Sequence, residues 1–431
     1  MDENHPAHSH GIARLAAASS VGTTLEWYDF TIYNIMAALV FNVVFFPKYD
    51  PMVGTLLAFS TYAVGYFARP IGGFLFGHLG DRLGRRFVLF ATLMVMGAAT
   101  CLIGLLPSYQ HWGVWSPALL VMLRFIQGAA LGGEWAGAVL LSLEHGSRHQ
   151  RGRNGSYAQL GPACGTILGT GTVAGITLWL APAGFESWGW RIPFALSAVL
   201  VGFGLWVRSG VEETPAFMQM QSHATTSKAP IQEVARHHLR PLLTSIAARV
   251  GPDVAYALLV VFTLTYATTI LHLPRALALT ATVIGAACNA VGIPVFASLS
   301  DRVGRRPVYA VGAVLSILWA FAYFSLMDTR QPLLIDIAVA VGLTLHASMY
   351  GPQAAFIAEQ FPARVRYAGS SMAYTLTGIV AGGVAPLLFS ALYRAYGSTV
   401  RLSLYVTAAL AVTLISLWQT RETANAPLSE A

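Results

Sequence analysis

Seven ionisable side chains stand inside long apolar runs: Glu26, Asp29, Arg69, Arg124, Glu134, Arg249 and Asp253. Glu26, Asp29 and Tyr33 are spaced by three and four residues, so on a helix they share one face. Two carboxylates that close disfavour joint ionisation, and such a pair can take up and release a proton. The structural alternative is that each acid bonds a neighbouring helix or pairs with an arginine. Arg124 and Gln127 also share a face. A guanidinium offers a planar fork of donors that fits a carboxylate bidentately, so Arg124 is a candidate carboxylate clamp with Gln127 orienting the ligand. The alternative is an ion pair of Arg124 with Glu26, Asp29 or Glu134. Glu134 follows Gly132 and Gly133, and serves either as a second proton site or as a packing lock. Arg249, Asp253 and Tyr256 form another stripe, either a local ion pair or a second wall of the same site. Gln159, Asn289, His346 and Tyr374 are weaker candidates, each suited to ligand contact or to hydrogen bonding between helices. Arg69, before Pro70 and two glycines, reads best as a structural partner for an acid; Trp27 and Tyr28 read as packing residues.

Those charges demand explanation because of what surrounds them. The 431 residues are 55% hydrophobic and only 10% charged, against about 25% charged in a soluble domain. The few charges gather in short loops between apolar stretches of about 20 residues or more, long enough to cross a hydrocarbon core of about 30 Å. Inside such a core an ionisable group costs roughly 2.5–3.5 kcal/mol, so it needs a partner, water or a function. Twelve apolar spans are expected, at 18–46, 53–79, 86–106, 116–143, 154–181, 190–208, 241–270, 276–299, 306–327, 333–359, 367–393 and 398–419. The predicted fold is an all-α integral membrane protein of twelve transmembrane helices.

A duplication organises the spans. Gly77-His78-Leu79-Gly80-Asp81-Arg82-Leu83-Gly84-Arg85-Arg86 recurs as Ala297-Ser298-Leu299-Ser300-Asp301-Arg302-Val303-Gly304-Arg305-Arg306. A second pair joins spans four and five at Glu144–Ser156 and spans ten and eleven at Glu359–Ser370. Repetition at half the chain length marks a duplicated architecture. The expected organisation is an N-terminal tail at 1–17, a six-helix bundle at 18–208, a linker at 209–240, a second bundle at 241–419 and a C-terminal tail at 420–431. Lysine and arginine concentrate on the side that holds both termini, which places that side in the cytoplasm. The net charge of +7 is therefore read as topology, with the lipid bilayer as the partner and no nucleic acid. In the repeated loops, Asp81, Arg82, Gly84, Arg85 and Arg86, with Asp301, Arg305 and Arg306 in the second copy, are candidate gate residues. An acid at a neighbouring helix N-terminus and arginines on carboxylates would hold one side shut, with Glu144 and Glu359 as arginine partners. Cys101, Cys164 and Cys288 lie in apolar runs and suggest neither a disulfide framework nor a metal site, and His5, His8 and His10 carry no metal assignment. The first span is too long and too acidic for a cleavable signal.

The paired loops, the six-plus-six layout and the basic central linker resemble the major facilitator superfamily. Five further stretches resemble its metabolite:proton symporter family: Val21–Phe30, Arg124–Gly128 continuing to Gly132–Trp135, Trp190–Phe194, Val211–Phe217 and Met349–Phe356. The resemblance implies two pseudo-symmetric six-helix bundles around a central cavity and proton-driven import of small metabolites, mostly carboxylates, in some members proline or betaine. One local departure is Gly251-Pro252-Asp253, where relatives often place an acid-Asn pair beside the arginine.

The expected function is a proton-coupled symporter importing a small organic acid or zwitterion across a bacterial inner membrane by alternating access, as a monomer, with the proton as coupling ion and no other cofactor. Glu26, Asp29 and Glu134 are the proton-site candidates. Arg124, Gln127, Tyr33, Arg249, Asp253, Tyr256, Gln159, Asn289 and Tyr374 are the substrate-site candidates. A proton-coupled drug or metabolite antiporter is the alternative, because Gly161-Pro162-Ala163-Cys164-Gly165 partly resembles an antiporter motif. A phosphate-cradling loop for ATP is lacking, and no metal-ligating or nucleophilic constellation suggests an enzyme.

Overall fold

The computed structural model describes residues 6–49, 51–83, 85–132, 134–144, 148–209, 230–362 and 365–424. Among these residues there is no strand, and twelve long helices carry the fold. In chain order they are α1 Pro6–Leu39, α2 Pro51–Leu83, α3 Arg85–Leu105 and α4, which comprises Trp115–Ala130 and Glu134–Glu144. Next come α5 Arg151–Trp179, α6 Ile192–Ser209, α7 Leu239–Ile270 and α8 Arg275–Val303. The last four are α9 Arg305–Asp328, α10 Pro332–Ala358, α11 Arg366–Tyr396 and α12 Thr399–Gln419. Among the described residues, 8 helices are both long and apolar enough to cross a membrane. α1 and α5 also have the length but are diluted by buried polar and glycine residues that face the protein interior.

Helix pairing repeats with an offset of six. α1 packs on α5, α2 on α4 and α3 on α6, while α7 packs on α11, α8 on α10 and α9 on α12. The two bundles meet chiefly through α5 against α8 and, at the symmetry-related place, α2 against α11. The tail expected at 1–17 is helical from Pro6, where proline's fixed φ suits a first helical turn, and the first span, expected to reach 46, ends at Leu39 and gives way to a short helix at Phe41–Val44. Within the predicted linker, Pro230–His237 forms a short helix; residues 210–229 lie outside the described residues.

Small residues set the close crossings. Gly161, Gly165 and Gly169 repeat every fourth position of α5, and a Cβ at any of them would meet α1 at Thr23, at Thr24 and Trp27, or at Tyr28 and Thr31. Gly128 and Gly132 of α4 similarly face Gly65, Arg69 and Gly72–Gly73 of α2. This is membrane helix packing through small residues, and it seats α1 and α2, the carriers of Glu26, Asp29 and Arg69, deep in the first bundle. The glycine-proline stretch of α5 thus has a packing role. Pro162, Pro252 and Pro294 sit inside continuous helices. The widened turns fall instead at Ala257–Phe262 and Tyr266–Ile270 of α7 and Gly378–Gly383 of α11, all π-helical. Such turns recur at functional positions.

Candidate transport site

In the first bundle, Asp29 is fully enclosed, and its carboxylate accepts from Thr100 Oγ1 at 2.7 Å and from Ser197 Oγ at 2.7 Å. Gln127 Nε2 donates to Thr100 Oγ1 at 2.7 Å, and Arg124 Nη1 donates to Gln127 Oε1. One chain of hydrogen bonds therefore runs Arg124–Gln127–Thr100–Asp29–Ser197 across α1, α3, α4 and α6. The Arg124 guanidinium lies 4.2 Å from the Phe30 ring centre and 4.0 Å from that of Tyr33, whose hydroxyl bonds Thr61. Arg69 lies 4.6 Å from the same Phe30 ring and 4.2 Å from Tyr66, and pairs with Glu26 at 3.9 Å. Phe30 is thus the shared cation–π platform of two buried guanidinium groups. Glu26 and Asp29 have separate partners, Arg69 for one and hydroxyls for the other.

A small cavity lies where the bundles meet. Its charged lining is Arg69 from the first bundle with Arg249 and Asp253 from the second. Its aromatic lining is Trp27, Tyr66, Tyr256, His346 and Tyr350. Water centres have about 30 Å³ in which to move, enough for water and too little for a metabolite. Arg249 Nε bonds both Asp253 oxygens at 3.0 and 3.1 Å. Its guanidinium lies 3.5 Å from the Tyr374 ring, which stacks on Trp135 at 4.2 Å. Arg249 Nη1 and Tyr374 Oη are buried without a hydrogen-bond partner among the described residues. Trp135 donates to Gln159, which donates to the Tyr350 carbonyl, and Tyr256 bonds Thr166, so polar contacts cross the bundle interface beside the cavity.

The sequence-based set is therefore redistributed. Arg249, Asp253 and Tyr256 reach the cavity. Arg124, Gln127 and Tyr33, expected at the cavity wall, lie behind it, because the Phe30 ring and the close α2–α4 crossing enclose them. Gln159, Asn289 and Tyr374 form the layer behind the lining, and Glu134 is buried at the start of the second α4 segment. Arg69, read as purely structural, both pairs with Glu26 and lines the cavity; Trp27, read as packing, lines it too and meets Tyr256 edge-on at 5.5 Å. Thr100 and Ser197 were missed, since a hydroxyl in an apolar run carries no signal of its own.

Each end of the α5–α8 contact has its own closure. At one end, Asp301 accepts from the backbone N–H groups of Gly152 at 2.8 Å and Arg153 at 3.0 Å, so it caps a helix N-terminus of the opposite bundle. Arg305 bonds Asp301 at 2.7 Å and Glu359 at 3.3 Å, and Arg151 reaches Glu359 at 3.8 Å. Thr423 donates to Glu359 at 2.7 Å, and the Glu422 carboxylate receives the backbone N–H groups of Arg305 and Arg306, each at 2.9 Å. Gly304 turns between α8 and α9 with φ 112°, a backbone that favours glycine, and a Cβ there would sit 2.9 Å from Glu422. At the other end, Arg275 pairs with Glu186 at 2.8 Å. In the first copy of the loop, Gly84 and the side chains of Asp81, Arg82, Arg85, Arg86 and Glu144 lie outside the described residues.

Comparison with known proteins places this arrangement. The sugar (and other) transporter family matches residues 15–240, and the major facilitator superfamily matches residues 254–431. The shikimate transporter of Escherichia coli is 41% identical over 382 residues, 88% of this chain and 87% of the relative. The inner membrane metabolite transport protein YhjE of Escherichia coli is 37% identical over 96% of this chain and 95% of its own. The Escherichia coli proline/betaine transporter is 33% identical over 97% of this chain and 85% of its own. Among solved structures, the proton:xylose symporter XylE bound to 6-bromo-6-deoxy-D-glucose superposes with a TM-score of 0.79 at 16% identity, covering 98% of both chains. That likeness shows the fold. The chain belongs to the major facilitator superfamily and, within it, to the metabolite:proton symporter family. It is a membrane transporter of small molecules and not an enzyme.

Proposed function

We propose that this protein imports a small organic acid together with protons by alternating access. The observation that carries the reading is the buried cavity between the bundles, to which one contributes Arg69 and the other Arg249 with Asp253. A substrate carboxylate there competes with Glu26 for Arg69 and with Asp253 for Arg249. One displaced acid then takes up a proton, which balances the single negative charge the substrate brings, and the bundles rock only when both events have occurred. Asp29, held ready by two hydroxyls, relays that proton. Arg124 acts from behind as a positioning residue, through Gln127 and Thr100 on one side and the Phe30 platform on the other. Five aromatic lining residues suit a cyclic acid, and the 41% identical relative is a shikimate transporter. In this reading the protein works as a monomer in the inner membrane with both termini cytoplasmic, and the Asp301–Arg305–Glu359 cluster is the inner gate.

The test is uptake into liposomes carrying the purified protein, acidic outside, against shikimate, citrate, 2-oxoglutarate, betaine and lipophilic cations. Concentrative uptake of a carboxylate that collapses with a protonophore supports the proposal. Transport confined to lipophilic cations, in exchange for protons, would replace it with the antiporter reading.

A further inference from the structure

His346 lines the central cavity, yet one side of its ring is already committed. Asn289 Nδ2 lies 2.7 Å from the Leu343 backbone carbonyl and 3.1 Å from His346 Nδ1. The first contact fixes the amide. Turned the other way, Asn289 Oδ1 would gain one bond from an Nδ1–H of His346 but would face the Leu343 oxygen at 2.7 Å with no hydrogen between them, losing the shorter bond and putting two acceptors in contact. The orientation holds although it leaves Oδ1 without a partner among the described residues. With the amide fixed, Asn289 presents an N–H to Nδ1, and Nδ1 must accept. A neutral imidazole carries its single proton on the other nitrogen, so Nε2 is the donor. Tyr350 stacks on the ring at 5.0 Å and Tyr256 packs at 5.3 Å, which hold its plane. Among the described residues no hydrogen-bond partner occupies Nε2.

We infer that His346 is a substrate-specificity residue locked as the Nε2–H tautomer, donating to a hydroxyl or carbonyl oxygen on the part of the substrate away from its carboxylate. The inference rests on the import reading and narrows it to acids that carry such an acceptor beside the aromatic wall, a class that contains cyclic hydroxy acids. Asn289 is the positioning residue. It touches no ligand, and its work is to choose which nitrogen carries the hydrogen.

Two measurements test this. Nitrogen-15 spectra of histidine-labelled protein in lipid bilayers, with His346→Gln to assign the signal, report the tautomer directly. An Nε2–H signature that is lost from His346 in Asn289→Leu is expected, and an Nδ1–H signature in the wild-type protein overturns the inference. Ligand-induced thermal shift with shikimate supplies the second. His346→Phe keeps a ring between Tyr256 and Tyr350 but has no donor, and should weaken shikimate binding about tenfold or more. His346→Gln, whose amide can donate, should stay within about threefold of wild type. Equal binding by His346→Phe and wild type overturns the substrate role. Should the wild-type protein respond to no carboxylate at all, the import reading falls, and the nitrogen-15 spectrum still decides the tautomer.

Discussion

Both Asp29 oxygens accept from hydroxyl groups, so a neutral amide at that position keeps most of the local hydrogen bonding while losing the titratable group. Asp29→Asn is accordingly expected to fold, to abolish proton-driven accumulation, and to leave substrate counterflow in preloaded liposomes. Accumulation that survives the change would remove Asp29 from the coupling path. Arg249 differs, because its fork holds Asp253 while its flat face lies on Tyr374. Lysine retains the charge and loses both the fork and the stacking. Arg249→Ala should lower uptake by about a hundredfold or more and Arg249→Lys by about tenfold, measured as kcat/KM in liposomes. The sequence marks these charges out because ionisable groups are rare and costly in apolar runs. It could not say which would reach the cavity. Arg69 and Arg124 look alike in sequence, and only the packing around Phe30 puts one in the lining and the other behind it.

The helices approach so closely at their glycines that one methyl group separates tolerance from failure. A Cβ at Gly72 would lie 1.6 Å from the Ala129 carbonyl oxygen, whereas one at Gly171 meets nothing within 4 Å. Gly72→Ala should destabilise the protein by about 1–3 kcal/mol, with overpacking of this kind as the cause. Gly171→Ala should be nearly neutral, and thermal unfolding in one detergent compares the two. Four-residue spacing of glycine is visible in the sequence, as at Gly161, Gly165 and Gly169, but which helix it receives is not, and here it is α1. The π-turns of α7 and α11 left no mark in the sequence either. In α11 the widened turn lies against another helix: Gly378, Gly382 and Gly383 all face Tyr66 of α2.

At the scale of the whole molecule, the two closures differ in kind. Glu186 and Arg275 are about one-third exposed, with side-chain accessibilities of 38% and 32%, and an ion pair of that sort is worth about 0–1 kcal/mol and weakens in salt. The opposite closure is buried, and removing one partner of a buried set leaves stranded charges and donors. Asp301→Asn should therefore shift the molecule strongly toward opening at that end, read as at least a tenfold faster alkylation of a cysteine placed at Ala297. Arg275→Gln should change opening at its own end by no more than about fivefold, an effect that high ionic strength reproduces in the unmodified protein. The twelve-helix layout and its duplication were legible, because apolar length and the repeated Asp-Arg-x-Gly-Arg-Arg loop both survive in the sequence. The contribution of Glu422 and Thr423 was not, since two polar residues after the last span look like any solvated end.

That contribution bears on how the protein is made. Arg305 opens α9, while Glu422 is added only 117 residues later, after α10, α11 and α12 have followed, roughly 6–23 s at about 5–20 residues per second. Until then the α9 N-terminus lacks the carboxylate that caps it in the finished fold. The newborn transporter must therefore pass through a period in which α9 is made and the bolt across its first turn is not.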